Sequence, residues 1–145
     1  MKKMKKENLK FVIVFFICIG VLLFILCFNK TNKYFYTLNI PSDDSVYNIN
    51  MEQSGKRIEV NKKDKIKDVI YIIVKVKRTT TNESIQDSPI NVDNVIKIDF
   101  EYGEDKTTTV FVYKKKDKYF IEQPYNGIYK ISQYEYNSIE KYIRN

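Results

Sequence analysis

Hydrophobic and polar positions fall into distinct regimes along this chain. An unbroken apolar run lies near the N-terminus, helical spacing follows in the middle, and alternating stretches precede a last helical stripe. Residues 11–28 read FVIVFFICIGVLLFILCF, eighteen residues without charge, Asn, Gln or Pro. Eighteen helical residues rise about 27 Å, close to the thickness of a bilayer core. In lipid the backbone has to bond internally, so the run predicts a transmembrane helix despite its β-branched residues. Residues 1–10 carry five lysines against Glu7, and lysines flanking a span are retained on the cytoplasmic side. Lys30 and Lys33 compete from the other flank and are fewer. The expectation is a single-pass cell-membrane protein whose first partner is the lipid bilayer. Its N-terminus is cytoplasmic and its C-terminal domain extracytoplasmic. A cleaved signal peptide would have a shorter apolar run and a small-residue exit; here the exit reads LFILCFNKTNKY. Lipidation at Cys27 would want small residues before it, where Phe24, Ile25 and Leu26 stand. Cys18 and Cys27 read as apolar fillers of the helix, and Gly20 is the span's only small residue, without a G-x-x-x-G pair.

Residues 29–44 read as a juxtamembrane linker ended by Pro41 and Ser42. Tyr34, Phe35 and Tyr36 suit either a membrane interface or the surface of the following domain. Residues 45–52 and 57–60 alternate as strands around a Ser54-Gly55 turn, which predicts a hairpin. Over 62–77, Ile66, Val69, Ile70 and Ile73, with Val74 or Val76, recur at helical spacing. Asn61 is the expected cap, with Asp64 three residues on. A strand through VIYIIVKV is the rival reading, because β-branched residues favour sheets. Residues 78–93 form the longest polar stretch and predict a long exposed loop. Residues 94–102 then place Ile96, Ile98, Phe100 and Tyr102 on one face. Strands at 107–113, 119–123 and 128–131 extend this into an antiparallel meander, with reversals at 103–106, 114–118 and Asn126-Gly127. Ser132 and Glu135 make a capping box, followed by a stripe of Tyr136, Ile139, Tyr142 and Ile143. The expected fold is α+β: an N-terminal transmembrane helix, then a small domain (45–145) of antiparallel sheet with two helices packed on it.

Composition changes this picture little. The chain has 145 residues, no Trp, no His and no Ala, and is rich in Lys, Ile, Asn and Tyr. All four are spelled by A- and T-rich codons, which accounts for much of the lysine excess without a basic function. Of the formal charge of +7, the first ten residues supply +4 and residues 29–145 only +3. So balanced a domain is no nucleic-acid binder. Both cysteines lie in the apolar run, so residues 29–145 hold neither a disulfide framework nor a thiolate nucleophile.

The stretch VIKIDFEYGEDKTTTVFVYKKKDKYFIEQPYNGIYKISQYEY resembles a family of small uncharacterised domains of Gram-positive bacteria, chiefly clostridia and streptococci. Glu83–Pro89, Asn91–Asp93 and the pattern Phe111–Tyr129 carry the resemblance, which covers about residues 45–140. It implies a domain of unknown function behind a membrane or lipoprotein signal. It brings no catalytic residues with it.

Without His or an exterior Cys, zinc chemistry has no usual ligand set. Asp87, Asp93 and Asp99 match no calcium-loop spacing, and no metal or cofactor is expected. Ser84 lacks an S-x-x-K partner. Glu101 and Glu122 imitate a glycosidase pair, but two acids on strands read first as a solvated face, and no enzyme is expected. The candidate partner-binding residues are Asn82, Glu83, Gln86 and Asp87 on the polar loop and Gln123, Tyr125 and Asn126 at the reversal. These amides and carboxylates offer hydrogen bonds without a pocket, and tyrosine adds contact area at low entropy cost. The same Pro124–Gly127 reversal also reads as structural, with Tyr125 or Tyr129 in the core and Gly127 at positive φ. The expected function is a membrane-anchored interaction domain for a protein, peptide or envelope component, an immunity or resistance factor being one form. A structural or regulatory subunit of a membrane complex, acting through its apolar helix, is the second class.

Overall fold

The computed structural model describes residues 6–29 and 34–144, with side chains of the first helix described over 10–25. The chain divides into two compact units, one ending at Tyr34 and the other running from Phe35. The first holds α1 (Lys6–Asn29), a single 24-residue helix. Its described apolar side chains, from Phe11 to Ile25, are exposed. Among the described residues no helix is long and apolar enough to cross a membrane. The expected span continues through residues 26–28, whose side chains lie outside the described ones.

The second unit is an α+β domain built on a six-stranded antiparallel sheet in the order β3-β2-β5-β6-β7-β8. Its strands are β2 (Val46–Gln53), β3 (Lys56–Val60), β5 (Ile96–Tyr102), β6 (Lys106–Lys115), β7 (Lys118–Glu122) and β8 (Ile128–Ile131). A two-stranded ribbon joins β1 (Tyr36–Thr37) to β4 (Thr79–Thr80). Period-two alternation decides which sheet face is buried. Ile49 opposite Phe100, Met51 opposite Ile98, and Ile98 opposite Val110 form one continuous apolar face. Helices α2 (Lys63–Val74) and α3 (Gln133–Arg144) cover it with Ile66, Val69, Ile70 and Ile73, and with Tyr136, Ile139 and Ile143.

The ends of the helices show which local signals hold. At α3 the box closes as expected: Ser132 N–H and Oγ donate to Glu135 Oε2, both at 2.8 Å, and Glu135 N–H donates back to Ser132 Oγ at 3.2 Å. At α2 the expected Asn61 cap is not used. The cap position falls on Lys62, which makes no side-chain capping bond. The helix also stops at Val74, short of the expected 77, leaving Val74 and Val76 exposed. Four residues beyond the end stands Arg78. Its Nε–H donates to the Ile73 carbonyl at 3.0 Å, satisfying an orphan acceptor at the helix end. Its guanidinium also pairs with Glu135 at the start of α3. One arginine thus stitches the C-terminus of α2 to the N-terminus of α3, with each charge at the helix end that favours it.

Candidate functional site

Residues 78–84 of the polar stretch are tied down as a strap, while most of 85–93 is the exposed loop expected. Thr79 and Thr80 pair with Thr37 and Tyr36 as β4 and β1. Leu38 N–H donates to Arg78 O, Ile128 N–H to Asn82 O, and Ser84 N–H to Asn126 O. A further bridge links Glu83 to Gly127. Beyond Thr80 the strap crosses the sheet face opposite the helices, where Phe111 and Tyr113 are buried.

Beneath it sits a buried polar trio. Ser84, 2% exposed, donates from Oγ to Glu122 Oε1 at 2.7 Å, and Tyr113 OH donates to Glu122 Oε2 at 2.7 Å. Each carboxylate oxygen thereby has a donor, as burial demands. Burial first, then the bond and the charge of Glu122, push the Tyr113 phenol well above its ordinary range. The expectation that Glu101 and Glu122 form a solvated face is therefore corrected. Glu122 is buried, while Glu101 is half-buried and accepts amide bonds from Asn48 and Asn50 at 3.0 and 2.5 Å. They oppose Phe111 and Thr107 on β6, four residues apart or about 13 Å along the strand.

The candidate residues divide sharply. Gln123 and Asn126 spend their amides inside the fold. Gln123 Nε2 donates to Asn39 O at 2.7 Å, and its Oε1 accepts from Asn39 N–H at 2.9 Å. Asn126 Nδ2 donates to Thr37 O at 2.8 Å and to Gln123 Oε1 at 2.6 Å. Asn82, Glu83, Gln86 and Asp87 are exposed, as is Tyr125. Tyr125 OH donates to Asp87 Oδ1 at 2.7 Å, clipping the strap to the reversal, and that bond raises the phenol above its usual value.

Tyr129 is the core tyrosine of the reversal, 1% exposed and without a hydrogen-bond partner for its hydroxyl among the described residues; burial pushes it up to about 12. The positive φ falls on Tyr125, at 54°, and not on Gly127. Gly127 is required for space instead: an added Cβ would lie 2.7 Å from Thr80 Cγ2 and 2.8 Å from the Tyr129 hydroxyl. Among the described residues no three acidic or cysteine side chains gather as a metal site.

A second feature escaped the reading of the sequence. A groove of about 710 Å³ runs between β3 and the outer flanks of α2 and α3. Its floor is Ile58, Val60, Ile72 and Tyr142; its rim is Glu59, Lys62, Lys65, Ser138 and Lys141. Burial, then the charges of Asp68 and Asp64, raise the Tyr142 phenol above its ordinary value. The groove abuts a sheet edge, because β3 pairs with β2 on one side and, among the described residues, with no strand on the other. The sequence signal was present in the half-buried Ile58, Ile72 and Tyr142, but the concavity needs α3, distant in the chain, beside the neighbouring β3 and α2.

Comparison with known proteins adds a family. No curated protein matches the chain. A solved structure described as "NMR structure of the protein from Ruminococcus gnavus" is similar at 30% identity with a TM-score of 0.56, covering 66% of this chain and 91% of that one. A family model matches residues 34–130, which take in the ribbon, the strap, the trio and the whole of β3. The chain therefore belongs to the family DUF5301, described as a domain of unknown function (DUF5300).

Proposed function

We propose that this protein is a membrane-anchored interaction module: α1 holds it to a cell membrane, and the α+β domain binds a protein or peptide on the extracytoplasmic side. The observation that carries the binding role is the open groove beside β3, where an apolar floor, a charged rim and a strand edge unpaired among the described residues meet. Concave apolar surfaces with a few polar groups are where partners gain affinity. The buried polar groups beneath the strap favour binding over chemistry, since Ser84, Tyr113 and Glu122 satisfy one another away from solvent. Anchoring is supported by the exposed apolar side chains of α1 and by the lysines that precede them.

The test is capture of a partner from detergent-solubilised membranes by the full chain and by a chain truncated after Tyr34. The proposal expects a partner that needs the domain. Equal capture by the truncated chain would move the function to α1 and the complex-subunit reading.

A further inference from the structure

We infer that the C-terminal end of α2 docks the domain onto an anionic lipid surface. Tyr71, Val74 and Val76 enter the headgroup region, while Lys75 and Lys77 meet the lipid phosphates. This rests on the anchoring by α1 proposed above and adds a second membrane contact, made by the domain itself. Exposure supplies the first argument. The buried face of α2 is Ile66, Val69, Ile70 and Ile73. Tyr71 and Val74 stand three residues apart on another flank, and they are exposed. Residues 74–77, alternately apolar and basic, are exposed in unbroken succession, Val76 at 58%. Apolar and aromatic side chains beside lysines make up the composition that settles at a membrane interface, where lysine stems lie along apolar surface and their charged heads reach the headgroups.

Charge and tether say what covers this patch. Residues 69–82 hold Lys75, Lys77 and Arg78 and no Asp or Glu. The carboxylates packed around them are engaged: Asp43 with Lys67, Asp44 with Lys63, Asp68 with Lys65 and Glu135 with Arg78. Asp64 stands eleven residues before Lys75, about 16 Å along the helix. Lys75 and Lys77 form no salt bridge among the described residues. Lys75 Nζ lies instead 5.8 Å from the centroid of the Tyr71 ring. The unbalanced charge of the patch is therefore positive, which favours phosphate-bearing lipid. Leu38 N–H donates to Arg78 O at 3.1 Å, so the patch adjoins a residue only nine beyond Asn29, where α1 ends. Nine extended residues span at most about 32 Å. A domain anchored by α1 thus keeps the patch near the bilayer at high effective concentration, where a contact too weak to anchor alone becomes a sufficient second signal.

The chain has no Trp, so a Trp introduced at one site reports from that site alone. Full-length Val76→Trp and Ile90→Trp chains are reconstituted into vesicles of equal parts phosphatidylglycerol and brominated phosphatidylcholine, and into vesicles of brominated phosphatidylcholine alone. Ile90 is the control, exposed in the loop on the opposite sheet face. In the anionic vesicles Val76→Trp should shift to the blue and be quenched by bromine, while Ile90→Trp stays unquenched. Omitting phosphatidylglycerol, or adding Lys75→Glu/Lys77→Glu to the Val76→Trp chain, should lower the docked-to-free ratio at least about tenfold. Both lysines are exposed, so that variant should melt like the parent. Equal quenching at the two sites, or quenching at Val76→Trp indifferent to lipid charge and to the lysines, would overturn the inference. So would a blue shift at Val76→Trp that grows with protein density and escapes bromine, which would mean that a second copy covers the patch. Flotation separates docking from anchoring. A chain that floats with the vesicles and resists alkaline extraction while Val76→Trp stays unquenched fails the docking and leaves the anchor standing. Extraction of the parent chain from the vesicles would instead fail the anchor itself.

Discussion

At Gly127 the side chain that is missing matters more than the backbone angle. Thr80 and Tyr129 fill the space a Cβ would need, so Gly127→Val should destabilise the domain by roughly 1–3 kcal/mol, the usual range for forced overpacking. Thermal melts check this, and a melting temperature equal to the parent's would contradict the packing account. Ser84→Ala should cost roughly 1–3 kcal/mol, because it strips a donor from a buried carboxylate. A double-mutant cycle of Ser84→Ala with Tyr113→Phe should give a coupling of at least about 0.5 kcal/mol through their shared acceptor; strict additivity would mean that they act separately. The tyrosines also set an alkaline limit. Tyr113 and Tyr129 have raised folded values against 10.0 unfolded. Their contribution is intact below pH 10 and is lost as pH rises through the folded values. Stability should fall above about pH 10, with Tyr129→Phe flattening the fall.

At the scale of elements, Arg78 joins three of them: α2 through the Ile73 carbonyl, α3 through Glu135, and β4 through the chain itself. Replacing Arg78 with Met should cost roughly 1.5–3 kcal/mol, as for a lost charged hydrogen bond. It should also weaken the acid dependence. Burial alone would raise Glu135, but bonds from Ser132 and Arg78 outweigh it and hold the carboxyl below 4.5. The stabilisation is present above the unfolded value and disappears as pH falls through the folded one. Urea midpoints between pH 5 and 2 should therefore decline more in the parent than in the variant. Elements were also where the sequence was most legible. The alternation of Ile96, Ile98 and Phe100, the Ser132–Glu135 box and the hydrophobic stripe of α2 are local patterns, and each produced its element. The strap was illegible for the opposite reason. Its bonds run from Arg78 to Leu38, from Asn82 to Ile128 and from Ser84 to Glu122. No local pattern announces such partners, so composition alone made it read as a free loop. Gln123 and Asn126 looked like surface amides on the same logic. The exposed Asn82, Glu83, Gln86 and Asp87 can be changed together to alanine with little effect on the melt, since the strap is held mainly by its backbone and by Ser84. A large loss of stability would show that these side chains belong to the scaffold.

At the scale of the whole molecule, two surfaces among the described residues are candidates for a partner: the strap with Tyr125, and the groove beside β3. The strap is braced on the sheet face opposite the helices, and its tyrosine is already engaged with Asp87. Among the described residues, the groove leaves the β3 edge without a strand partner. The proposed binding role rests on the groove rather than the strap. Photocrosslinking in the native cell is the direct measurement, with a benzophenone side chain placed at Ile58, at Lys141 or at Gln86 in the otherwise unaltered chain. A discrete adduct of the same partner is expected from Ile58 and Lys141, with Gln86 giving little or none. An adduct from Gln86 alone would place the partner on the strap and contradict that role.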